Sequence, residues 1–164
     1  MNTVALEMIK YYAGDVKRIN HFMKVHGFAK VIGEGENLDE NTMFTLETAA
    51  YVHDIGIKMS EQKYNSSAGK YQEELGPAEA ETMLKKLGFD EDVIKRVSYL
   101  VGHHHTYSNI DGIDYQILIE ADFIVNIFED EIEADSIKSI REKIFKTETG
   151  KKILDNMYNT ESNT

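Results

Sequence analysis

The sequence predicts an all-α domain, and three observations carry that prediction. There is 1 Pro in 164 residues, apolar residues recur at spacings of three and four, and Gly or Asp stands where helices would stop and start. Residues 15–32 form the first strong segment, with Ile19, Phe22, Val25, Ala29 and Ile32 on one face. Gly33 and Gly35 stop it. Asp39 is a natural N-cap for a second helix, in which Met43, Leu46, Ala49 and Ala50 lead to His53 and Asp54, with Gly56 as terminator. Periodicity then disappears over 57–75, which reads as a long, Tyr-containing loop. A loop beyond ~12 to 15 residues in a compact domain is usually functional or disordered.

Gly76-Pro77 opens the next expected helix, with Ala80, Met83, Leu84 and Leu87 inward and Gly88 past its end. Asp90 caps another, whose Val93, Val97, Leu100 and Val101 share a face and which ends in Gly102 and His103-His104-His105. The following segment, 114–128, carries Leu118, Ala121, Val125 and Phe128 as its stripe. Its Tyr115, Ile117 and Ile119 alternate as a strand would, but the apolar run is too long for a strand and the 3.6-residue period fits better. A helix after Asp135 turns Ile137, Ile140 and Ile144 inward, and a short one covers 153–158. The expectation is a single domain of about six to eight helices over 1–164, with its core at 15–128, C-terminal helices at 129–158 and a frayed tail at 159–164.

Charge and composition narrow the function. With 18 Lys+Arg against 29 Asp+Glu, the net charge of -11 argues against polymeric nucleic acid as a partner. A small phosphorylated molecule needs only a few local cations. There is no Cys, so any metal must be held by His, Asp and Glu. Glu7 and Lys10 interrupt the apolar positions of 1–12, and nowhere do 18 apolar residues run together. A cytoplasmic location without a membrane partner is therefore expected, and a homo-oligomer is left open.

Several polar residues lie on the apolar stripes. His21 precedes Val25 by four residues, His53 follows Ala49 by four, His104 follows Leu100 by four, and Asp122 follows Leu118 by four. An unpaired buried carboxylate costs several kcal/mol even after relaxation, so Asp54 and Asp122 need a partner. A metal held between helices by His21, His53, Asp54 and Asp122 satisfies all four together. His53 and Asp54 lie ~100° apart around their helix, so the ion must sit over the groove between them. Such ligands suit Mn, Fe, Co, Ni or Zn better than Mg.

These residues stand in segments that resemble the HD-domain superfamily, metal-dependent phosphohydrolases with a His…His-Asp…Asp pattern on an all-α scaffold. The resemblance runs through Arg18-Ile19-Asn20-His21, Ala49-Ala50-Tyr51-Val52-His53-Asp54-Ile55-Gly56, Gly76-Pro77-Ala78-Glu79-Ala80, Leu100-Val101-Gly102-His103-His104 and Ala121-Asp122. It implies that His21, His53, Asp54 and Asp122 bind the principal metal. Two-metal members place a His where this chain has Gln72, followed by Glu73 and Glu74, so one ion is expected rather than two. His103 and His104 match the family's later His pair and would either complete a second site with Glu73 or Glu74 or serve as proton donor and substrate contact. The family's Lys after His-Asp-Ile-Gly is displaced here to Lys58.

Among the remaining polar residues, Lys58, Lys63, Lys70 and Arg18 are candidate phosphate-binding cations. His26 and His105 are expected outside the site, and Glu129, Asp130, Glu131 and Glu133 on a solvated face. The implied activity is hydrolysis of a phosphate ester on a nucleotide or other small phosphorylated metabolite by metal-activated water. The alternatives are a non-catalytic metal- or nucleotide-sensing module and a di-iron oxygenase of HD-like fold.

Overall fold

The computed structural model describes residues 1–160. Among them are nine helices and no strand: α1 Asn2–Tyr11, α2 Val16–Gly35, α3 Glu40–Val52, α4 Gly56–Tyr64, α5 Gly69–Lys86, α6 Glu91–Val101, α7 Ile113–Glu129, α8 Ala134–Ile144 and α9 Glu148–Tyr158. The all-α expectation holds, with one helix more than the expected upper count. No described helix is long and apolar enough to cross a membrane.

Helix starts follow local chemistry. Asp15 caps α2 by accepting the Arg18 backbone N–H, and Asp39 caps α3 by accepting that of Thr42. Helix α2 runs through Gly33, whose missing Cβ leaves room for Met43, 2.6 Å from where that Cβ would stand, and the chain turns only after Gly35.

The expected loop at 57–75 is corrected. Gly56 does not merely end the preceding helix; it begins α4, and α5 is already under way at Gly69, which leaves only 65–68 as a connection. Helix α4 buries only Gly56, Ile57 and Ser60, so it shows no long apolar stripe. Gly76 and Pro77 lie inside α5 rather than at its start. Gly76 admits Val101 at 2.6 Å from where its Cβ would stand, and Pro77 forfeits one backbone hydrogen bond.

Helix α7 is the central element. Every residue from Asp114 to Asp122 is buried, which removes the face-to-face contrast that marks an amphipathic helix and explains its strand-like alternation in sequence. Helix α2 packs on α3 and α7, α3 on α6 and α7, and α5 on α4 and α6. Helix α1 lies on α3, and beyond its end the Tyr12 hydroxyl donates to the Asp54 carbonyl at 2.8 Å. The C-terminal helices are tied to α7 by buried Glu120, which accepts from Gln116, from the backbone N–H groups of Lys146 and Thr147, and from the Thr147 hydroxyl. Helix α9 begins five residues before the predicted short helix. Of the expected frayed tail, Thr160 is buried and its hydroxyl donates to Asp155; 161–164 lie outside the described residues.

Candidate metal centre

Two helices and one inter-helix turn bring the predicted donors together. His21 comes from α2, His53 and Asp54 from the turn between α3 and α4, and Asp122 from α7. His21 Nε2 stands 3.2 Å from His53 Nε2, 3.1 Å from Asp54 Oδ2 and 3.1 Å from Asp122 Oδ1. His53 Nε2 lies 3.3 Å from Asp54 Oδ2 and 3.4 Å from Asp122 Oδ1. Donor atoms that share one ion at about 2.0 to 2.2 Å are separated by roughly this much.

The outer nitrogens set the tautomers. His53 donates Nδ1–H to the Ala50 carbonyl at 2.7 Å, and His104 donates Nδ1–H to the Val101 carbonyl at 2.7 Å. His21 donates Nδ1–H to Glu129 at 2.9 Å. In each neutral ring the Nε2 lone pair then faces the cluster, the state a metal ligand requires.

The donor set passes a direct test of fit. Asp122 Oδ1 and His104 Nε2 are shut off from solvent, with no hydrogen-bond partner among the described residues. Asp122 Oδ1 lies close to His21 Nε2 without the alignment of a hydrogen bond. Buried orphan acceptors are rare, and a cation held among His21, His53, Asp54 and Asp122 would satisfy Asp122 Oδ1. Without a cation, protons must do so. Burial opposes a charge on His21, yet Asp122 and Asp54 outweigh it and raise the imidazole to about 10. His53 moves upward against the same burial because of Asp54 and Asp122. Burial pushes the Asp54 and Asp122 carboxyls up, but the surrounding histidines hold both well below the usual carboxylate range.

Asp54 also faces His104, whose Nε2 is 3.3 Å from Oδ1, and Asp54, His104 and His105 form a second group whose ligand atoms lie within 4.8 Å of one another. His105 is thus placed at the site, whereas His103 bonds the Tyr99 carbonyl and stacks on the Tyr99 ring. The His pair that reaches the centre is one residue later than the sequence reading placed it. Gln72 Nε2 donates to the Ser67 carbonyl, so its Oε1 accepts His105 Nε2–H at 3.0 Å. Burial, then His104, lowers His105 to about 4. Glu73 accepts from the His105 backbone and the Thr106 hydroxyl, and Glu74 from the Tyr64 hydroxyl; neither joins the two donor groups.

A cleft of about 380 Å³ opens over the cluster. His21, Asp54 and Asp122 line its floor, and Lys17 and Arg18 bring positive charge to its wall. Of the predicted phosphate cations, Arg18 is there, bonded to Asp15 and Glu61. Lys58 donates to the Tyr11 carbonyl, while Lys63 and Lys70 lie over the rings of Tyr64 and Tyr71; these three do not line the cleft. Glu129, expected on a solvated face, lines it and is largely buried. The available signal was spacing: Glu129 follows Asp122 by seven residues, two helical turns on the same face. His26 is half-buried rather than superficial, stacked on Tyr51 and bonded to Glu47.

The HD domain model matches residues 18–152, a span that contains all four predicted metal donors. The crystal structure of a predicted HD superfamily hydrolase from an uncultured Thermotogales bacterium is similar to this chain, with a TM-score of 0.66, 25% sequence identity, and coverage of 96% of this chain and 82% of that one. Among curated proteins, none matches. A family match over most of the length, a shared fold, and a His21-His53-Asp54 donor group with Asp122 beside both histidines agree: the chain belongs to the HD-domain family.

Proposed function

We propose that the chain is a metal-dependent phosphohydrolase acting on a nucleotide or another small phosphorylated metabolite. The observation that carries the reading is the convergence of His21, His53, Asp54 and Asp122, with His21, Asp54 and Asp122 lining a cleft whose wall holds Lys17 and Arg18. These four residues would hold one divalent transition metal, from among Mn, Fe, Co, Ni and Zn. Such an ion, when bound, supplies Lewis acidity toward a phosphoryl oxygen and acidifies water. The Ala50 and Glu129 hydrogen bonds keep the His53 and His21 lone pairs aimed inward. Lys17 and Arg18 offset charge on the phosphate as it develops. His104, its Nδ1–H committed to Val101 and its Nε2 facing Asp54 Oδ1, would pass a proton to the leaving oxygen. A single ion is favoured because Gln72 ties His105 to the Ser67 carbonyl.

The test is metal content of untagged protein purified without chelator, followed by turnover on a panel of nucleoside monophosphates and other phosphate monoesters. About one transition-metal equivalent, lost with its activity in Asp54→Ala, is the expected result. Tight, saturable nucleotide binding without product would replace hydrolysis with sensing, and absence of metal after soaking in Mn, Fe, Co or Ni would end the metal reading.

A further inference from the structure

Glu129 is out of place by every local criterion. It is the last residue of α7, where the helix presents partial negative charge and an acidic side chain is disfavoured. Asp130 and Glu131, both exposed, add like charge beside it. Its side chain is nevertheless only 13% exposed. Residues that break a local rule while burying charge concentrate at functional sites, and the contacts of Glu129 show what the burial serves. Oε1 lies 2.9 Å from His21 Nδ1 and 3.1 Å from Lys24 Nζ, and Oε2 lies 3.3 Å from His21 Nδ1. His21 and Lys24 are three residues apart on α2, so both reach the same acid across the α2–α7 contact.

Resting on the metal reading above, we propose that Glu129 is a positioning residue for His21. By accepting the Nδ1–H it fixes the tautomer and ring orientation that aim Nε2 at His53, Asp54 and Asp122. Lys24 holds the carboxylate in place from the solvent side. Of the three outer partners at the centre, the Ala50 and Val101 carbonyls are supplied by the chain adjoining the histidine itself, three residues away. Glu129 reaches His21 from 108 residues away. The orientation of His21 therefore depends on a side chain that can be changed without altering the backbone.

The experiment is a Co²⁺ titration of the full chain, followed by visible absorption, for wild type, Glu129→Ala and Glu129→Gln, with thermal unfolding of each metal-free protein. The Ala variant should bind Co²⁺ about 10- to 100-fold more weakly while unfolding cooperatively, and Gln, which keeps an acceptor oxygen but not the charge, should fall between. In Zn²⁺-loaded wild type, the hydrogen-bonded Nδ1 proton of His21 should be visible by ¹⁵N-edited NMR and should vanish in Glu129→Ala, a change that loss of general stability does not produce. Wild-type affinity in the Ala variant, or in the Gln variant if Ala does not fold, overturns the proposal and leaves the metal reading intact. Failure of folded wild type to bind Co²⁺ overturns both.

Discussion

His104 Nε2 lies 3.3 Å from Asp54 Oδ1, on the opposite carboxylate oxygen from the one that His21 and His53 approach. Asp54 therefore joins the four-donor cluster to a histidine that the cluster itself does not contain. His103, one residue earlier, turns to Tyr99. Replacing His104 with Gln should lower turnover on the best phosphate monoester about 10²-fold or more, the range of a lost proton donor. His103→Ala should stay within about threefold of wild type on the same scale. A loss in His103→Ala with none in His104→Gln would mean that the outer ring, not the buried one, matters to the reaction.

Much of the centre was legible because helical spacing ties inward polar residues to inward apolar ones: His21 to Val25, His53 to Ala49, Asp122 to Leu118. Spacing works along a helix and fails at its end. His103, His104 and His105 lie in the turn after α6, where the backbone no longer advances 100° per residue, so which rings faced Asp54 could not be read from order. The stretch 57–75 failed for another reason. Helix α4 is short and contacts α5 through Gly56 and Gly76, and a contact made by missing side chains leaves no hydrophobic signature. Glu129 was misread through its neighbours, since an acidic run ordinarily marks a solvated face.

Metal-free protein should be most stable near pH 6.5. His21 rises from an ordinary 6.5 to about 10 in the fold, so its contribution is fully present below 6.5 and is lost as pH rises toward 10; His53 acts in the same direction. His105 is lowered to about 4, so the unfolded chain takes up a proton that the fold refuses, and stability falls between 6.5 and 4. Below the ordinary 3.8 of a carboxyl, the depressed Asp54 and Asp122 add a further loss. Thermal unfolding in chelator from pH 4 to 10 should trace a dome. Adding Zn²⁺ should flatten its alkaline side, because bound ligands are deprotonated. An unchanged midpoint from pH 6.5 to 9.5 without metal would show that the cluster's charges are arranged otherwise.

Gly56→Ala should cost about 1 to 3 kcal/mol in urea unfolding. The added Cβ would stand 2.7 Å from the Gln72 carbonyl oxygen and 2.9 Å from Gly76 N and Cα. Backbone atoms of α5 cannot step aside as a side chain can, so α4 must shift, and with it Asp54 two residues earlier. Metal affinity should weaken in parallel. Gly27→Ala is the control: nothing lies within 4 Å of its Cβ position inside α2, and the change should stabilise by about 0.4 to 1 kcal/mol.

The cations that meet the phosphate should be those on the cleft wall rather than those of α4 and α5. Lys17 and Arg18 line the cleft, whereas Lys63 and Lys70 hold their amines 5.1 and 4.8 Å from the ring centres of Tyr64 and Tyr71. Lys17 is exposed, so its contact with a bound phosphate should be worth about 0.2 to 1 kcal/mol. Lys17→Ala should then raise KM by up to about fivefold at constant kcat, and the effect should shrink with added salt. Arg18 is also bonded to Asp15 and Glu61, so Arg18→Ala removes a wall contact and leaves two acids beside the substrate, and its KM should rise further. Lys63→Ala and Lys70→Ala should match wild type. A KM that responds to Lys63 or Lys70 and ignores Lys17 would place the phosphate on the α4–α5 side of the centre.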